Sequence, residues 1–417
     1  IFGYRDSEER TDQDFDSTDI DFFSTIRKQD YEQTSHELRV SGLIGDKIDY
    51  VVGGYLWDSE YQLDQQLLYF LTALAELPEG STSNPRTDHD TDAWAVFFEA
   101  DYIFNEQWKL TLGGRYTEEE KDMDRSSFID FAGAGVVIIP EFDASGDGDW
   151  DEFTPKASIS YTPNVDHLIY FTYAEGFRSG GLNGRGNAPS SIEAPYDPEF
   201  VDMYELGWKG VWLKNRLQTS VAVFYQEYDD KQEDVVVPAP DSAQGQETVT
   251  LNASEATMGG VELEVKALIT DGWTVGVNYG YLDAEYDDFE ITTVDGSTAD
   301  LSNLDLRRAP EYTYAINSVY SLDIGPGVAS LQATYRYKDD FETTFSNEPY
   351  GHVDGHGLLD AAASYAWEGW TFRVFGRNLT DEDAIGSALP VAGLFSFAAY
   401  RDPRIWGVQL SYEFGVE

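Results

Sequence analysis

The sequence has no cysteine, no long apolar run and few positive charges, and each absence removes a class of protein. Its 417 residues contain no cysteine, which excludes a disulfide framework and thiol chemistry. No apolar run approaches the ~18 residues that a transmembrane helix needs. Lysine and arginine number 27 against 77 aspartates and glutamates, a formal net charge of −50, so we expect no nucleic acid partner. Aromatic residues, at 15%, are too frequent for a disordered acidic chain.

The N-terminus also lacks the features of a precursor. The chain begins at Ile1 without Met and without the charged and apolar stretches of a secretory signal. Residues 1–5 already read as the middle of a strand, so we expect the C-terminal part of a longer, exported precursor. No break in composition divides residues 1–417, which predicts one domain.

Apolar and polar residues alternate in most segments of the chain. In the last such segment, large apolar residues occupy every second position: Trp406, Val408, Leu410, Tyr412 and Phe414. The same pattern recurs over 217–226 and 273–281. Because successive side chains of a strand point to opposite faces, each segment has an apolar and a polar face. A soluble sheet would not place so many large apolar residues on one face over so many strands.

Short turns alternate with long polar connections. Short turns are predicted at 45–47, 105–107, 163–166, 213–215, 271–272, 325–327 and 368–369. Long loops are predicted around 71–91, 128–151, 182–199, 236–248, 288–308 and 385–402. Trp108, Trp273 and Trp370 each follow a tight turn, as in the aromatic girdle of a membrane barrel. The pattern predicts an all-β fold, an up-and-down antiparallel transmembrane β-barrel with about sixteen strands in this chain.

Several ordered motifs resemble those of TonB-dependent outer-membrane receptors. They are SHELR at 35–39, YAEGFRSGGLN at 173–183, YELGWK at 204–209, GVELE at 260–264, RAP at 308–310, GRNLTD at 376–381 and PRxxGVxLSYxF at 403–414. The resemblance implies a 22-stranded barrel in the bacterial outer membrane, blocked by an N-terminal plug and coupled to TonB through a short box. Plug, box and six strands would then precede Ile1, leaving the first and last strands of this chain as open edges. We therefore expect a large curved sheet with a wide lumen, unable to perform TonB-coupled transport by itself.

The polar face of the expected barrel contains the candidate ligand-binding residues. Glu205, Lys209, Asp360, Arg373 and Arg377 fall on inward positions of their strands. A two-residue turn at 368–369 pairs positions i and 737 − i, which predicts that Trp367 faces Trp370 on the outer side.

The same register brings further pairs together. It sets Tyr365 opposite Phe372 and Ala363 opposite Val374 on the outer side, with Ser364 opposite Arg373 and Asp360 opposite Arg377 inside.

Two further hairpins are predicted from facing alone. Leu206 should oppose Val223, and Trp208 should oppose Val221, across a four-residue turn at 213–216. Leu263 should oppose Tyr279, which requires an odd-length turn around Asp271-Gly272. The two-residue turn that Asp-Gly favours would place Lys266 in lipid.

A metal site is predicted in the loop over 143–151. Asp143, Ser145, Asp147, Asp149 and Asp151 resemble the first half of a calcium-binding loop, although Thr154 stands where that loop needs a bidentate Glu. The alternative is a solvated loop. Apart from this calcium ion, we expect no cofactor.

Enzymatic interpretations find little support. Only His352 and His356 lie close in sequence, and a spacing of four aligns two ligands on a helix but not on a strand. Gly180-Gly181 lacks the Lys-Ser/Thr of a phosphate-binding loop. No pair among the 77 acidic residues stands out as catalytic. We therefore expect no enzyme.

The resemblance implies a monomeric receptor and transporter, surrounded by lipid and lipopolysaccharide. Its ligand would be a scarce nutrient too large for porins: an iron–siderophore or other metal chelate, haem, cobalamin or a glycan. A passive porin and a structural or adhesive surface barrel remain alternatives. The acidic excess has two interpretations, namely solvated loops and electrostatic attraction of cationic solutes.

Overall fold

Strands make up most of the structure, a computed structural model that describes residues 1–14, 23–69, 81–131, 138–239, 245–293, 296–347, 350–391 and 395–415. The first eleven strands are β1 (Phe2–Asp14), β2 (Phe23–Ile44), β3 (Ile48–Tyr69), β4 (Thr82–Ser83), β5 (Arg86–Ile103), β6 (Trp108–Asp130), β7 (Ile138–Asn164), β8 (His167–Arg178), β9 (Glu199–Trp212), β10 (Leu217–Ala239) and β11 (Gly245–Thr270). The others are β12 (Trp273–Thr292), β13 (Thr298–Asp300), β14 (Tyr312–Ile324), β15 (Gly327–Lys338), β16 (Phe341–Glu342), β17 (His352–Val353), β18 (His356–Trp367), β19 (Trp370–Arg377), β20 (Ile385–Val391), β21 (Phe395–Tyr400) and β22 (Ile405–Tyr412). A short helix, α1, spans Pro189–Glu193.

Sixteen strands form one antiparallel meander, as the alternation predicts. Each strand pairs with the next in the order β1, β2, β3, β5, β6, β7, β8, β9, β10, β11, β12, β14, β15, β18, β19, β22. The short β4 and β13 extend this sheet, whereas β16–β17 and β20–β21 form separate hairpins. In the described parts of the chain, no pairing joins β1 to β22.

The strands extend far beyond the length that a membrane requires. β7 has 27 residues, whereas about 9–11 residues cross the hydrocarbon layer. The prediction of long loops over 128–151 and 236–248 is therefore wrong for most of these residues, which lie in β6, β7, β10 and β11. Their Asp, Gly and Ser residues favour turns locally, but continuous pairing with a neighbouring strand overrides that preference. Residues 71–80 of the first predicted loop lie outside the described residues.

The tight turns all fall at one end of the meander, here called the turn end; the other is the loop end. Trp108, Trp273 and Trp370 each begin a strand at the turn end, as predicted. Trp108 stacks on Tyr161 with ring centres 4.5 Å apart, and Trp370 lies 4.7 Å from Tyr412. These rings form the girdle expected at the periplasmic interface.

The two hairpins with regular turns follow the predicted registers. Trp367 pairs with Trp370 and Ser364 with Arg373 across Glu368-Gly369, where both turn residues have positive φ (44° and 80°), as a type I′ turn requires. Leu206 pairs with Val223 across a four-residue turn at 213–216. The apolar side chains of these strands thus share one face, here called the outer face, and the polar ones share the inner face.

In the β11–β12 hairpin the side chains face as predicted, but the turn differs from the predicted one. Leu263 pairs with Tyr279 as expected, but the turn at Asp271-Gly272 has two residues, so the predicted odd-length turn is wrong. A β-bulge at Ile269, between the paired residues Leu268 and Thr270, supplies the extra residue. The bulge reverses the facing of the strand beyond it, which keeps the carboxylates of β11 on the inner face.

Arg216 of the neighbouring hairpin holds this bulge. Its guanidinium donates to the carbonyls of Leu268 (3.2 Å) and Ile269 (3.1 Å) and to the Asp271 carboxylate (3.2 Å). Its carbonyl accepts from the Leu268 N–H at 2.7 Å. The carbonyls at the bulge are therefore satisfied.

The outer face is apolar and exposed, whereas the buried apolar clusters lie towards the loop end. Leu38, Leu56 and Leu331 are 73%, 57% and 55% exposed, which suits contact with lipid rather than water. One buried cluster centres on Val235 and Phe289, and another on Met123 and Ile192. Within the described residues, no helix has the length and apolarity to cross a membrane.

We predict that deleting Ile269 prevents correct assembly. Without the bulge, the Asp271-Gly272 turn would direct Glu262, Glu264 and Lys266 to the outer face, and a Lys at mid-depth alone costs about 2–4 kcal/mol. The fraction of protein that keeps folded electrophoretic mobility without heating measures the effect. Ile269→Ala retains the extra residue and should assemble normally. Normal assembly of the deletion variant would contradict the account.

Candidate ligand site on the inner face

A cavity of about 730 Å³ opens on the inner face. Its lining includes residues of eight adjacent strands, from Tyr170 on β8 to His356 on β18, together with Arg401. In a flat sheet these strands would extend over roughly 34 Å, since neighbouring strands lie about 4.8 Å apart. The sheet must therefore curl around its inner face to enclose one cavity.

A second cavity of about 280 Å³ adjoins the first, and Arg336 lines both. Glu205 and Lys209 line the large cavity, and Asp360, Arg373 and Arg377 line the small one. The structure thus brings the five predicted residues to two neighbouring cavities. Their role in ligand binding stays a prediction.

An aromatic ring lies between the two predicted residues of β9. The Tyr170 hydroxyl donates to Glu205 Oε1 at 2.6 Å, and Lys209 Nζ lies 5.8 Å from the ring centre. The ring lies against Gly207, its partner in the β8–β9 register, where a Cβ would stand 2.2 Å from Tyr170 Cζ. Glycine is required at this position because the ring occupies the space of a side chain.

Glu262 and Glu264 of β11 add two carboxylates on the same side of the large cavity. Both are exposed on the inner face, as the Ile269 bulge dictates. With Glu205 they form the acidic wall of the cavity, defined by these three residues.

Arg336 and Lys338 on β15, together with Arg401, also line the large cavity and are here called the basic wall. Arg336 forms an ion pair with Asp360, and Lys338 Nζ lies 3.7 Å from the centre of the Phe341 ring.

Arg401 is positioned by a histidine. The guanidinium Nε of Arg401 lies 3.1 Å from His356 Nε2, while His356 Nδ1 lies 3.1 Å from the Asp354 carbonyl. Because Arg401 only donates, His356 Nε2 accepts and Nδ1 carries the proton that it donates to Asp354. His356 is only 6% exposed, so this arrangement is held inside the protein.

The small cavity contains two arginines on either side of one ring. The guanidinium carbons of Arg373 and Arg377 lie 5.9 Å and 6.0 Å from the centre of the Phe375 ring. In the described part of the chain, neither arginine forms an ion pair within 4.0 Å. Both charges are therefore free to meet a ligand.

Asp360 and Arg377, predicted to lie opposite each other, form no ion pair within the described residues. The β18–β19 ladder ends at Ala361 and Gly376, one pair before these residues. One oxygen of Asp360 accepts from the backbone N–H of Asn378 at 2.9 Å, and the other pairs with Arg336. The partner comes from β15, a neighbour that hairpin register alone does not identify.

Asn378, from the GRNLTD motif, begins the turn that follows β19. Its φ of 48° lies in the left-handed region, which asparagine tolerates. Its amide donates to the carbonyls of Glu382 (2.9 Å) and Asp402 (3.2 Å), and its Oδ1 accepts from the Glu382 N–H at 2.9 Å. Asn378 therefore fixes the segment that leads to Arg401.

A small hairpin cluster, formed by β16, β17 and β20, lies beside the basic wall. Phe341, Val353 and Ala388 form its buried core. His352 Nδ1 lies 2.8 Å from Glu342 Oε1, and this hydrogen bond to a carboxylate raises the pKa of His352. Since His352 bonds to Glu342 and His356 to Arg401, the two histidines act separately.

The acidic run over 143–151 lies on a strand and not in a loop. Asp143, Asp147, Asp149 and Asp151 are exposed positions of β7, and Tyr116 donates to Asp151 at 2.9 Å. Alternate residues of a strand lie about 6.6–6.8 Å apart, whereas calcium needs oxygens at 2.3–2.6 Å. The residues that the structure describes contain no group of three His, Cys or acidic side chains arranged to hold a metal.

Sequence reasoning missed most of the large cavity. His356 enters the sequence analysis only as half of a histidine pair, and Tyr170, Glu262, Glu264, Lys338 and Arg401 have no predicted role in a site. The alternation of β15 places Arg336 and Lys338 on its polar face, which was a usable signal. Arg401 lies outside the meander and gave no such signal.

We predict that Gly207→Ala displaces the Tyr170 ring and lowers the free energy of unfolding by about 1–3 kcal/mol, the usual cost of overpacking. Denaturant unfolding of the reconstituted protein measures the loss. In a Tyr170→Ala background the same substitution should cost little, because the space is then empty. An equal cost in both backgrounds would show that the ring is not the cause.

We predict that the β16–β17 hairpin weakens as pH rises. The pKa of His352 is raised in the folded state, so its stabilising effect is complete below the unfolded pKa of about 6.5 and is lost as pH passes the folded value. The Thr343 N–H, which donates to the Gly351 carbonyl at 3.0 Å, should show a falling hydrogen-exchange protection factor over that range. Glu342→Gln should flatten the profile; an unchanged profile would exclude the ion pair as its source.

Comparison with known proteins places this geometry in a family. The sequence model of the TonB dependent receptor-like β-barrel matches residues 2–379. The probable TonB-dependent siderophore receptor PiuA of Acinetobacter baumannii is 28% identical over 207 residues, 49% of this chain and 25% of that protein. The metal-pseudopaline receptor CntO of Pseudomonas aeruginosa is 25% identical over 277 residues, 64% of this chain and 35% of that protein.

A solved structure shows the same fold. The ferric yersiniabactin uptake receptor FyuA of Yersinia pestis superposes with a TM-score of 0.76 and 18% identity, covering 99% of this chain and 58% of that one. This chain thus spans a quarter to about a third of these curated relatives and just over half of this structure. The chain belongs to the TonB-dependent receptor family, whose transport receptors are β-barrels of the bacterial outer membrane.

Proposed function

We propose that the protein containing this chain takes up a metal chelate, of the iron–siderophore kind, across the outer membrane with energy delivered by TonB. The observation that carries the proposal is the pair of charged cavities on the inner face of an outer-membrane barrel. The relatives named as siderophore and metal receptors support the ligand class.

The unpaired arginines of the small cavity suit an anionic group of such a ligand. Arg373 and Arg377 project from one strand on either side of Phe375 and have their charges free. A planar guanidinium binds carboxylate oxygens in a bidentate manner. In this proposal, Arg373 and Arg377 hold the ligand while Glu205, Lys209 and Asp360 orient it from neighbouring strands.

The sixteen-stranded sheet would serve as one barrel domain. Its apolar outer face would contact lipid and, towards the loop end, lipopolysaccharide. We propose a monomer, because a lipid-facing outer face needs no protein partner.

We predict that cells expressing the complete reading frame accumulate radioactive ferric siderophore only when the inner membrane is energised and TonB is present. Uptake should stop with a protonophore and in a host lacking TonB. Uptake that persists under both conditions would favour the passive porin, and its absence under all conditions would favour the structural or adhesive barrel.

We predict that Arg373→Ala with Arg377→Ala lowers affinity for the transported chelate at least tenfold, because a hydrogen bond to a charged group contributes about 1.5–3 kcal/mol. Lys214→Ala, in a turn at the periplasmic end, is the matched control and should leave uptake unchanged. Equal affinity of the arginine variant and the control would remove the small cavity from the binding site.

A further inference from the structure

The charged groups of the large cavity are sorted by sign, except for Lys209, which lies on β9 with Glu205. Its acidic wall consists of Glu205, Glu262 and Glu264 on β9 and β11. Its basic wall consists of Arg336 and Lys338 on β15, together with Arg401. β12 and β14 separate the walls and contribute only uncharged lining residues, among them Asn278 and Thr313.

Charge is unpaired on both walls. Within the described residues, none of Glu262, Glu264, Lys338 and Arg401 forms an ion pair within 4.0 Å. Ion pairs are common elsewhere on the inner face: Lys109 lies 2.7 Å from Asp101, and Lys156 lies 2.9 Å from Glu99. Within the described residues, these four charged groups therefore lack the ion pairs that charged groups elsewhere on the inner face form.

The basic wall is also held in place. Lys338 Nζ lies over the Phe341 ring, and Arg401 is fixed by the His356 ring and by its own N–H, which donates to the Ala384 carbonyl at 2.8 Å. Groups ordered before a ligand arrives lose less entropy on binding. The carboxylates of Glu262 and Glu264 are placed by the bulge at Ile269, and Glu205 accepts from the Tyr170 hydroxyl, so both walls depend on ordered features of the fold.

Two walls of opposite sign exclude ligands that carry charge of one sign only. An anion attracted to Lys338 and Arg401 would meet repulsion from Glu262 and Glu264, and a cation would meet the reverse. A ligand with both charges at opposite ends satisfies both walls, and such complementarity provides specificity. A volume of about 730 Å³ lies within the range of small-molecule sites.

We propose that the large cavity selects a zwitterionic metal chelate, with an ammonium group and carboxylates that are not bound to the metal. Its ammonium group faces Glu262 and Glu264, and its carboxylates face Lys338 and Arg401. This inference rests on the proposed uptake of a metal chelate and specifies which chelate is preferred.

The test compares three chelates of different charge with the protein purified from its complete reading frame. The probes are the ferric tris complex of aspartate β-hydroxamate, whose ammonium and carboxylate groups are not bound to the metal; ferric citrate, an anion; and ferrioxamine B, which carries a free ammonium group. Calorimetric titration should show at least tenfold tighter binding of the ferric aspartate hydroxamate than of either other probe. A parent protein that binds all three equally, prefers another probe or binds none would overturn the inference.

Paired charge-removing variants show whether the walls cause this selection. Glu262→Gln with Glu264→Gln should weaken binding of the ferric aspartate hydroxamate at least tenfold and strengthen binding of ferric citrate. Lys338→Met with Arg401→Gln should weaken both of these probes and strengthen ferrioxamine B. Glu106→Gln, at an exposed turn, is the control for loss of a carboxylate. An unchanged order of affinities in correctly folded wall variants would overturn the inference.

Failure of the wider proposal would look different. If cells accumulate neither the probes nor any ferric siderophore in a TonB-dependent way, the proposed uptake is wrong. If energised uptake occurs without a preference between charge classes, only the inference about the large cavity is wrong.

Discussion

The constraint on which this structure depends is the pairing of backbone polar groups in a lipid-exposed sheet. Inside a membrane an unpaired N–H or C=O costs several kcal/mol, so each strand must pair along its whole crossing length. Pairing in turn fixes which residues face lipid, because side chains alternate strictly. One extra or missing residue between two strands therefore moves every charge of a segment to the wrong side. The positions of the ligand-site residues follow from this count of residues.

The bulge at Ile269 shows how the number of residues between the paired positions of β11 and β12 is corrected while the favoured turn is kept. Asp271-Gly272 suits a two-residue turn, but that turn alone gives β11 the wrong facing. The bulge restores the facing, and Arg216 bonds the carbonyls that the bulge frees. The facing of Glu262 and Glu264 thus depends on a residue that lies outside the cavity, close to the turn end.

Much of the sheet could be predicted from the sequence, because the alternation and the turn residues that determine it are local. Alternation gave the strands, and turn residues gave the register of Trp367 with Trp370 and of Leu206 with Val223. The Ile269 bulge carries no local sign, since only the facing of distant residues requires it. The ion pair of Asp360 with Arg336 was missed for a similar reason: Arg336 approaches from the adjacent strand β15. The polar run over 143–151 pairs as a strand only because β6 lies beside it.

The loop end obeys a different constraint, because there the strands have left the lipid and face water. It builds its own core around Val235 and Phe289, and a carboxylate is buried beside it. Glu233 is fully buried and pairs with Lys231, while Arg307 Nη2 lies 3.1 Å from its Oε2 as an ion pair without hydrogen-bond geometry. The Tyr286 hydroxyl donates to it at 2.9 Å, and burial with this charge raises the pKa of Tyr286. Removing one partner of such a group costs about 3–5 kcal/mol, so the network favours one arrangement of the loop end.

The acidic excess of the chain and the basic wall act over different distances. At physiological ionic strength, charges on the exposed surface are screened beyond about 8 Å. The net charge of −50 therefore lowers the encounter rate of anions but decides little once a ligand lies within the cavity. There the nearest groups dominate, and these are three carboxylates with Lys209 on one side and three cations on the other. A ligand without net charge approaches the acidic surface with little repulsion and still interacts with both walls, so long-range and short-range electrostatics favour the same zwitterionic chemistry.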